Sequence, residues 1–288
     1  MTLEKSLIHE RIEEWILNGD EPFLFRADGR RQFRSVLLGA QDANHPFFSR
    51  LGQYAPNHLE PLELFGKVTG RVVRSGVSVL SIGLPWDELT IAEMARTTST
   101  PPASWFAAKA NFLACIPYVY ELLSEICVKR GTTVIEPESC RFYHTQRNSA
   151  GLSVSNWSER HIAFACGLGT FGHHGGIITA QGVALRLMSF LVGEDFDEYA
   201  VVPDKPFRDC LFLSRGTCGV CAHRCPISAL SLHGRDGFAC QRFVWNIADR
   251  LPSSALHGVK DACGFCMTGV PCAKTRPKKS EQVDSREG

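Results

Sequence analysis

The chain has 288 residues, 44% hydrophobic and 21% charged, with 31 Lys and Arg against 30 Asp and Glu for a net charge of +1. That composition fits a globular chain of about two domains with a sizeable core and excludes a disordered or collagenous one. The charge balance weighs against a dedicated nucleic-acid or anionic-membrane binder. No apolar run approaches the ~20 residues of a membrane-spanning helix.

In chain order, residues 3–18 place Leu3, Leu7, Ile8, Ile12, Trp15 and Ile16 near one face of a helix, with Gly19 at its C-terminal end. Strand-like pieces follow around Val36-Leu37-Leu38 and Val72-Val73, and Val77–Leu84 reads as a buried strand closed by Pro85. Pro101-Pro102 starts a helix from about Ser104 to Arg130, which Pro117 should kink and Gly131 should stop. Thr132–Glu136 is a short strand. Asn156-Trp157-Ser158-Glu159 has the spacing of a capping box before a helix over Arg160–Cys166. Val183–Val192, apolar apart from Arg186 and Ser189, reads as a central strand. Interleaved strands and helices imply one α+β or α/β domain over residues 1–205. A small cysteine-rich module over 206–276 and a charged tail over 277–288 follow.

Twelve cysteines stand out, eight of them between Cys210 and Cys272. The chain is long for a secreted disulfide scaffold. Arg30-Arg31-Gln32-Phe33 has the letters of a twin-arginine export motif, but the apolar stretch after it is too short for a signal. The expected setting is a reducing cytoplasm, with cysteines that bind metal. Cys218-x2-Cys221-x3-Cys225-Pro226 is the back part of the bacterial ferredoxin run, whose last cysteine ligates the other cluster. Arg215 holds the place of the missing first cysteine, and Cys210 is the natural replacement. Crossover then assigns Cys210, Cys218, Cys221 and Cys272 to one [4Fe–4S] cluster. Cys225, Cys240, Cys263 and Cys266 fall to a second. A single cluster, or zinc at the two C-x2-C pairs, is the alternative. Cys115, Cys127, Cys140 and Cys166 read as core thiols.

Gly167-x-Gly169-x-x-Gly172 spells a dinucleotide fingerprint, but a helix precedes it and Gly175-Gly176 prevents one from following. Glycines there would instead let backbone lie flat against a large planar ligand. The run Ser158–Gly172 (SERHIAFACGLGTFG), the strand Ser78–Pro85 and the cysteine order resemble the epoxyqueuosine reductase family, whose wider relatives include the reductive dehalogenases. The resemblance implies an α+β fold: a nitroreductase-like cobalamin-binding domain followed by a ferredoxin-like domain with two [4Fe–4S] clusters. It implies an oxidoreductase that passes electrons through the clusters to a corrinoid, which reduces a small or nucleoside-type substrate. An external flavodoxin- or ferredoxin-type donor would serve it, with tRNA as a further candidate partner and no membrane. Gly167, Leu168, Gly169, Thr170, Phe171 and Gly172 would line the corrinoid.

In the tRNA-modifying members an Asp ahead of the Glu-Arg pair donates a proton; its place here is Ser153. Tyr143 and His144 are therefore the candidate catalytic acids. His173 or His174 could contact the cobalt or the corrinoid edge, and Arg141, Arg147, Arg160 and Arg186 could hold its polar groups. The alternative function is an electron-transfer protein or corrinoid-reducing activator serving a partner.

Overall fold

A computed structural model describes residues 2–55 and 57–278. Helix α1 (Lys5–Asn18) buries Ile8, Ile12 and Ile16, spaced by four so that one stripe faces the core, while Leu7 lies exposed. Strand β1 (Leu37–Asp42) and helix α2 (Pro61–Thr69) follow. Val72-Val73 is not a strand; it forms a loop in which Val72 is 91% exposed. Strand β2 (Ser78–Pro85) is buried at every position because both faces are covered. Each large apolar side chain buried this way contributes about 1.5–3 kcal/mol. Helix α3 (Glu88–Arg96) is capped by Asp87, which accepts from the Leu89 and Thr90 N–H groups.

Helix α4 (Ala103–Lys129) runs on through Pro117. By length and mean hydropathy it alone among the described helices could cross a membrane. Here its Trp105, Phe106, Ala108, Phe112, Cys115, Val119, Leu123 and Cys127 belong to the core. Strand β3 (Val134–Ile135) leads to a hairpin of Thr145–Arg147 on Ser153–Ser155. Helix α5 (Glu159–Ala165) begins without the expected capping box: the Ser158 hydroxyl pairs with the His161 ring, and Glu159 turns away to Trp157 and Ser189. Strands β4 (Gly169–Phe171) and β5 (Ile177–Thr179) form a second hairpin, and β6 (Leu185–Val192) follows. One sheet has the antiparallel order β1-β2-β6-β3, so β6 is central as its apolar run predicts.

The chain is a mixed helix-and-sheet fold. Beyond residue 206 the structure is short helices and turns around helix α6 (Gly237–Ala248). The main hydrophobic core is continuous across that point, joining Trp86 and Phe106 to Cys221, Ile247, Val259 and Phe265. Of the expected tail, residues 279–288 lie outside the described residues.

Candidate functional site

Two cavities organise the cysteines. Cys210, Cys218, Cys221 and Cys272 ring a small one, ≈ 20 Å³, together with His174, Phe212 and Val270. That volume suits one water, so an iron–sulfur core among these thiols would have to spread them apart. Gly216 and Gly219, at φ 71° and 145°, give the intervening loop left-handed turns that other residues rarely adopt. Cys240, Cys263 and Cys266 stand on the wall of a larger cavity of ≈ 550 Å³, and Cys225 is an electrostatic neighbour of Cys263. The two groups adjoin, since Cys221 acts on Cys266. Burial pushes the thiols of Cys221 and Cys263 up to about 11, and those of Cys266 and Cys272 to about 12. Metal binding at either group therefore releases protons.

Among the described residues no three His, Cys, Asp or Glu converge on a point where one metal ion could sit. A four-iron cluster does not need that convergence. Its irons stand between the thiols, which lie farther apart than around one zinc at ~2.3 Å. The donor set, eight thiols in two fours, fits two such clusters.

The larger cavity is polar on one side. Lys109, from α4, donates to Asp261 Oδ1 at 2.5 Å and to the Asp261 carbonyl at 2.9 Å, tying the helix to the cysteine-rich part. Burial, then the neighbouring Arg186, holds the Lys109 pKa below its usual value. Arg186 projects from the start of β6, and its side chain makes no hydrogen bond among the described residues; burial lowers its pKa, opposed by Asp261. Arg160 donates to the Gly175 carbonyl at 2.7 Å, and Arg235 to Cys240 Sγ at 3.2 Å. Two carboxyls besides Asp261, those of Glu138 and Glu159, share the wall. Burial, then Glu138, pushes Glu159 up to about 8. Its Oε1 accepts from Ser189 at 2.8 Å and Trp157 at 3.2 Å, while Oε2 is buried with no partner in the protein.

The expected corrinoid-lining segment does not border this cavity; Gly175 and Gly176, just beyond it, do. A Cβ on Gly169 would meet the Ile178 carbonyl at 2.2 Å, and one on Gly172 the His174 ring at 2.4 Å. These glycines make room for protein. Gly167 lies against Ala200, and Leu168 packs near Phe164. The Thr170 hydroxyl donates to buried Asp209 at 3.0 Å, and Phe171 stacks beside His161 and Phe164. His144 is exposed and bonded to Asn156, away from the cavity. Tyr143 sits one layer behind the wall, hydrogen-bonded to Ser155, and burial raises its pKa. Arg141 and Arg147 are exposed, whereas Arg160 and Arg186 line the cavity. The His174 ring faces Cys272, whereas His173 meets Cys210 through its backbone N–H and turns its ring to the Ser231 carbonyl. Cys115, Cys127 and Cys166 are buried in the core, and Cys140 packs on its edge.

Glu138, Glu159, Lys109, Arg235 and Asp261 carry no site role in the sequence reading, which placed Glu159 only in a helix cap. Lys109 carried a signal, a lone cation among apolar residues of α4.

No known family profile matches the chain. Over 130 residues it is 31% identical to the epoxyqueuosine reductase of Staphylococcus aureus (strain NCTC 8325 / PS 47), a match covering 44% of this chain and 32% of that protein. The chain resembles the epoxyqueuosine reductases. The match spans about a third of that relative's length. Solved structures of epoxyqueuosine reductase also align. That from Bacillus subtilis does so with TM-score 0.45 and 16% identity, over 84% of this chain and 62% of that one. One solved with an epoxyqueuosine-modified tRNA stem loop has TM-score 0.47 and 16% identity, over 85% and 64%.

Proposed function

We propose that the chain is an iron–sulfur, cobalamin-dependent reductase. The supporting observation is the division of eight thiols into two adjoining fours, the second opening on a cavity that also holds carboxyl and guanidinium groups. Two [4Fe–4S] clusters held there would relay single electrons from a flavodoxin- or ferredoxin-type donor, and a corrinoid in the cavity would supply a two-electron reduction of a small or nucleoside-type substrate. The nucleoside class follows the name of the sequence relative. The nitroreductase-like and ferredoxin-like architectures, over 1–205 and 206–276, belong to the same reading, as does a reducing cytoplasm.

This chain's own residues have three tasks. Arg186 and Arg160 hold anionic or amide groups of the bound molecules. Phe112, Trp157, Val183, Leu185 and Leu187 exclude water from the wall. Glu159 holds a proton beside the reacting centre, where a carboxyl with a raised pKa serves as an acid at neutral pH, and the neighbouring Glu138 helps to keep it protonated.

Anaerobic reconstitution followed by cobalamin titration tests the reading. The expected result is about eight irons per chain, four for each cluster, and saturable cobalamin binding. Stoichiometric zinc without iron overturns the clusters. An iron-replete protein indifferent to every cobalamin form overturns the reductase and leaves the electron-transfer activator.

A further inference from the structure

The loop Gly172–Gly176 is built around one imidazole. His174 is 5% exposed and borders both cavities, so it lies between the two thiol groups. Its Nδ1 stands 2.9 Å from the Gly176 backbone nitrogen. An amide N–H can only donate, so Nδ1 accepts and, in the neutral ring, the proton is on Nε2. Nε2 points at Cys272 Sγ, 3.6 Å away. The sulfur is thus an acceptor for a donor whose tautomer the backbone has fixed.

The glycines enforce this placement. A Cβ on Gly172 would lie 2.4 Å from the His174 ring and displace it, while one on Gly176 would press on Val183 at 2.8 Å and crowd the ring at 3.1 Å. The preceding residue adds a second donor to the same group: the His173 N–H reaches Cys210 Sγ at 3.4 Å, while the His173 ring bonds the Ser231 carbonyl at 2.7 Å. Two of the four thiols in the first group therefore receive N–H donors from two adjacent residues. The second group is served differently, by the Arg235 guanidinium on Cys240.

We propose that His174 is a positioning residue whose Nε2–H hydrogen bond to Cys272 sets the redox potential of the first thiol group's cluster. This rests on the iron–sulfur reading. Reduction adds one electron, from the external donor protein, and breaks no bond. The added negative charge spreads onto the ligating sulfurs, and an N–H aimed at one of them stabilises the reduced state more than the oxidised one. The bond therefore raises the potential. It keeps the first group easily reduced, with the imidazole wedged where the second group and the cavity begin.

The test is a redox titration of the reconstituted full-length protein, followed by EPR, with iron counted in every variant. His174→Leu removes the donor and should lower one of two midpoint potentials, by roughly tenfold in the reduction equilibrium, or about 59 mV for one electron. The other potential should stay in place. His174→Gln can present an N–H at a similar reach and should recover part of the shift. Gly172→Ala leaves the histidine in the chain but pushes its ring aside, and should lower the same potential. Iron-replete variants with both potentials unmoved, or a Gln variant indistinguishable from Leu, overturn the proposal while the cluster reading survives. Wild-type protein that takes up no iron overturns both.

Discussion

The Ser189 hydroxyl on β6 donates to Glu159 Oε1 at 2.8 Å, so the central strand holds the carboxyl that opens α5. Burial, then Glu138, keeps that carboxyl protonated up to about pH 8, against an ordinary Glu value near 4.5. The folded chain binds this proton more tightly than the unfolded one. Its stabilising contribution is complete below about pH 4.5 and is lost as pH rises to about 8. Glu159→Gln keeps the shape without the titration. Across that window the wild-type melting temperature should fall relative to the variant, and by pH 8.5 the variant should be the more stable by a few kcal/mol. Parallel melting profiles would show that Glu159 ionises like a surface carboxyl.

Arg186 carries an unpaired guanidinium into the cavity from β6. Replacing it with Met removes a buried charge that has no ion-pair contact among the described residues and is eased only at a distance by Asp261, and should stabilise the ligand-free chain by ~1–2 kcal/mol. The same change should weaken cobalamin binding about tenfold, ~1.4 kcal/mol. Calorimetry on one protein preparation reads both. Unchanged affinity would remove Arg186 from the binding wall.

The two thiol groups make separable predictions. Cys210→Ala should leave the first cluster labile or three-iron, while Cys225, Cys240, Cys263 and Cys266 hold theirs. Cys263→Ala should do the reverse. The EPR spectrum of each reduced variant should then show one of the two wild-type signals. Loss of both signals from either variant would indicate a shared site.

Gly169→Val tests what the glycine segment is for. Against a corrinoid, the variant would fold and lose only its ligand. Against the Ile178 carbonyl, 2.2 Å from the new Cβ, it must part β4 from β5. The expected outcome is a loss of more than ~3 kcal/mol of stability, seen in denaturant unfolding before any cofactor is added.

What was legible in the sequence was local. The cysteine spacing, the apolar run of β6 and the long helix α4 each declare themselves within a few turns of chain, because spacing and periodicity are properties of neighbours. The charged wall was not legible. Arg160 and Arg186 were candidates, but Lys109, Glu138, Arg235 and Asp261, from four further segments, meet them and Glu159 only after the sheet has formed. The letters of the glycine run suggested a ligand surface. Only the structure reveals that Ile178 and the His174 ring already occupy the space left free by the missing side chains. Likewise the Ser158–Glu159 spacing matched a cap, yet the buried Trp157–Ser189 pair took the carboxyl instead.

The Cys272 and Ala273 carbonyls accept from the Val183 and Ala184 N–H groups at 2.9 and 3.0 Å, just ahead of β6. Gly182, at φ 83°, bends so closely past Ala273 that a Cβ would sit 2.3 Å from its carbonyl. The thiol-bearing segment is thus hemmed to the sheet by its own backbone. On the ribosome, the lead-in to the central strand waits for partners that are synthesised long after it. These two pairings therefore form only once Ala273 has been made, long after the last strand of the sheet ends at Val192. A nascent chain interrupted before Cys272 would leave the Val183 and Ala184 N–H groups without these partners beside a sheet whose strands are already made.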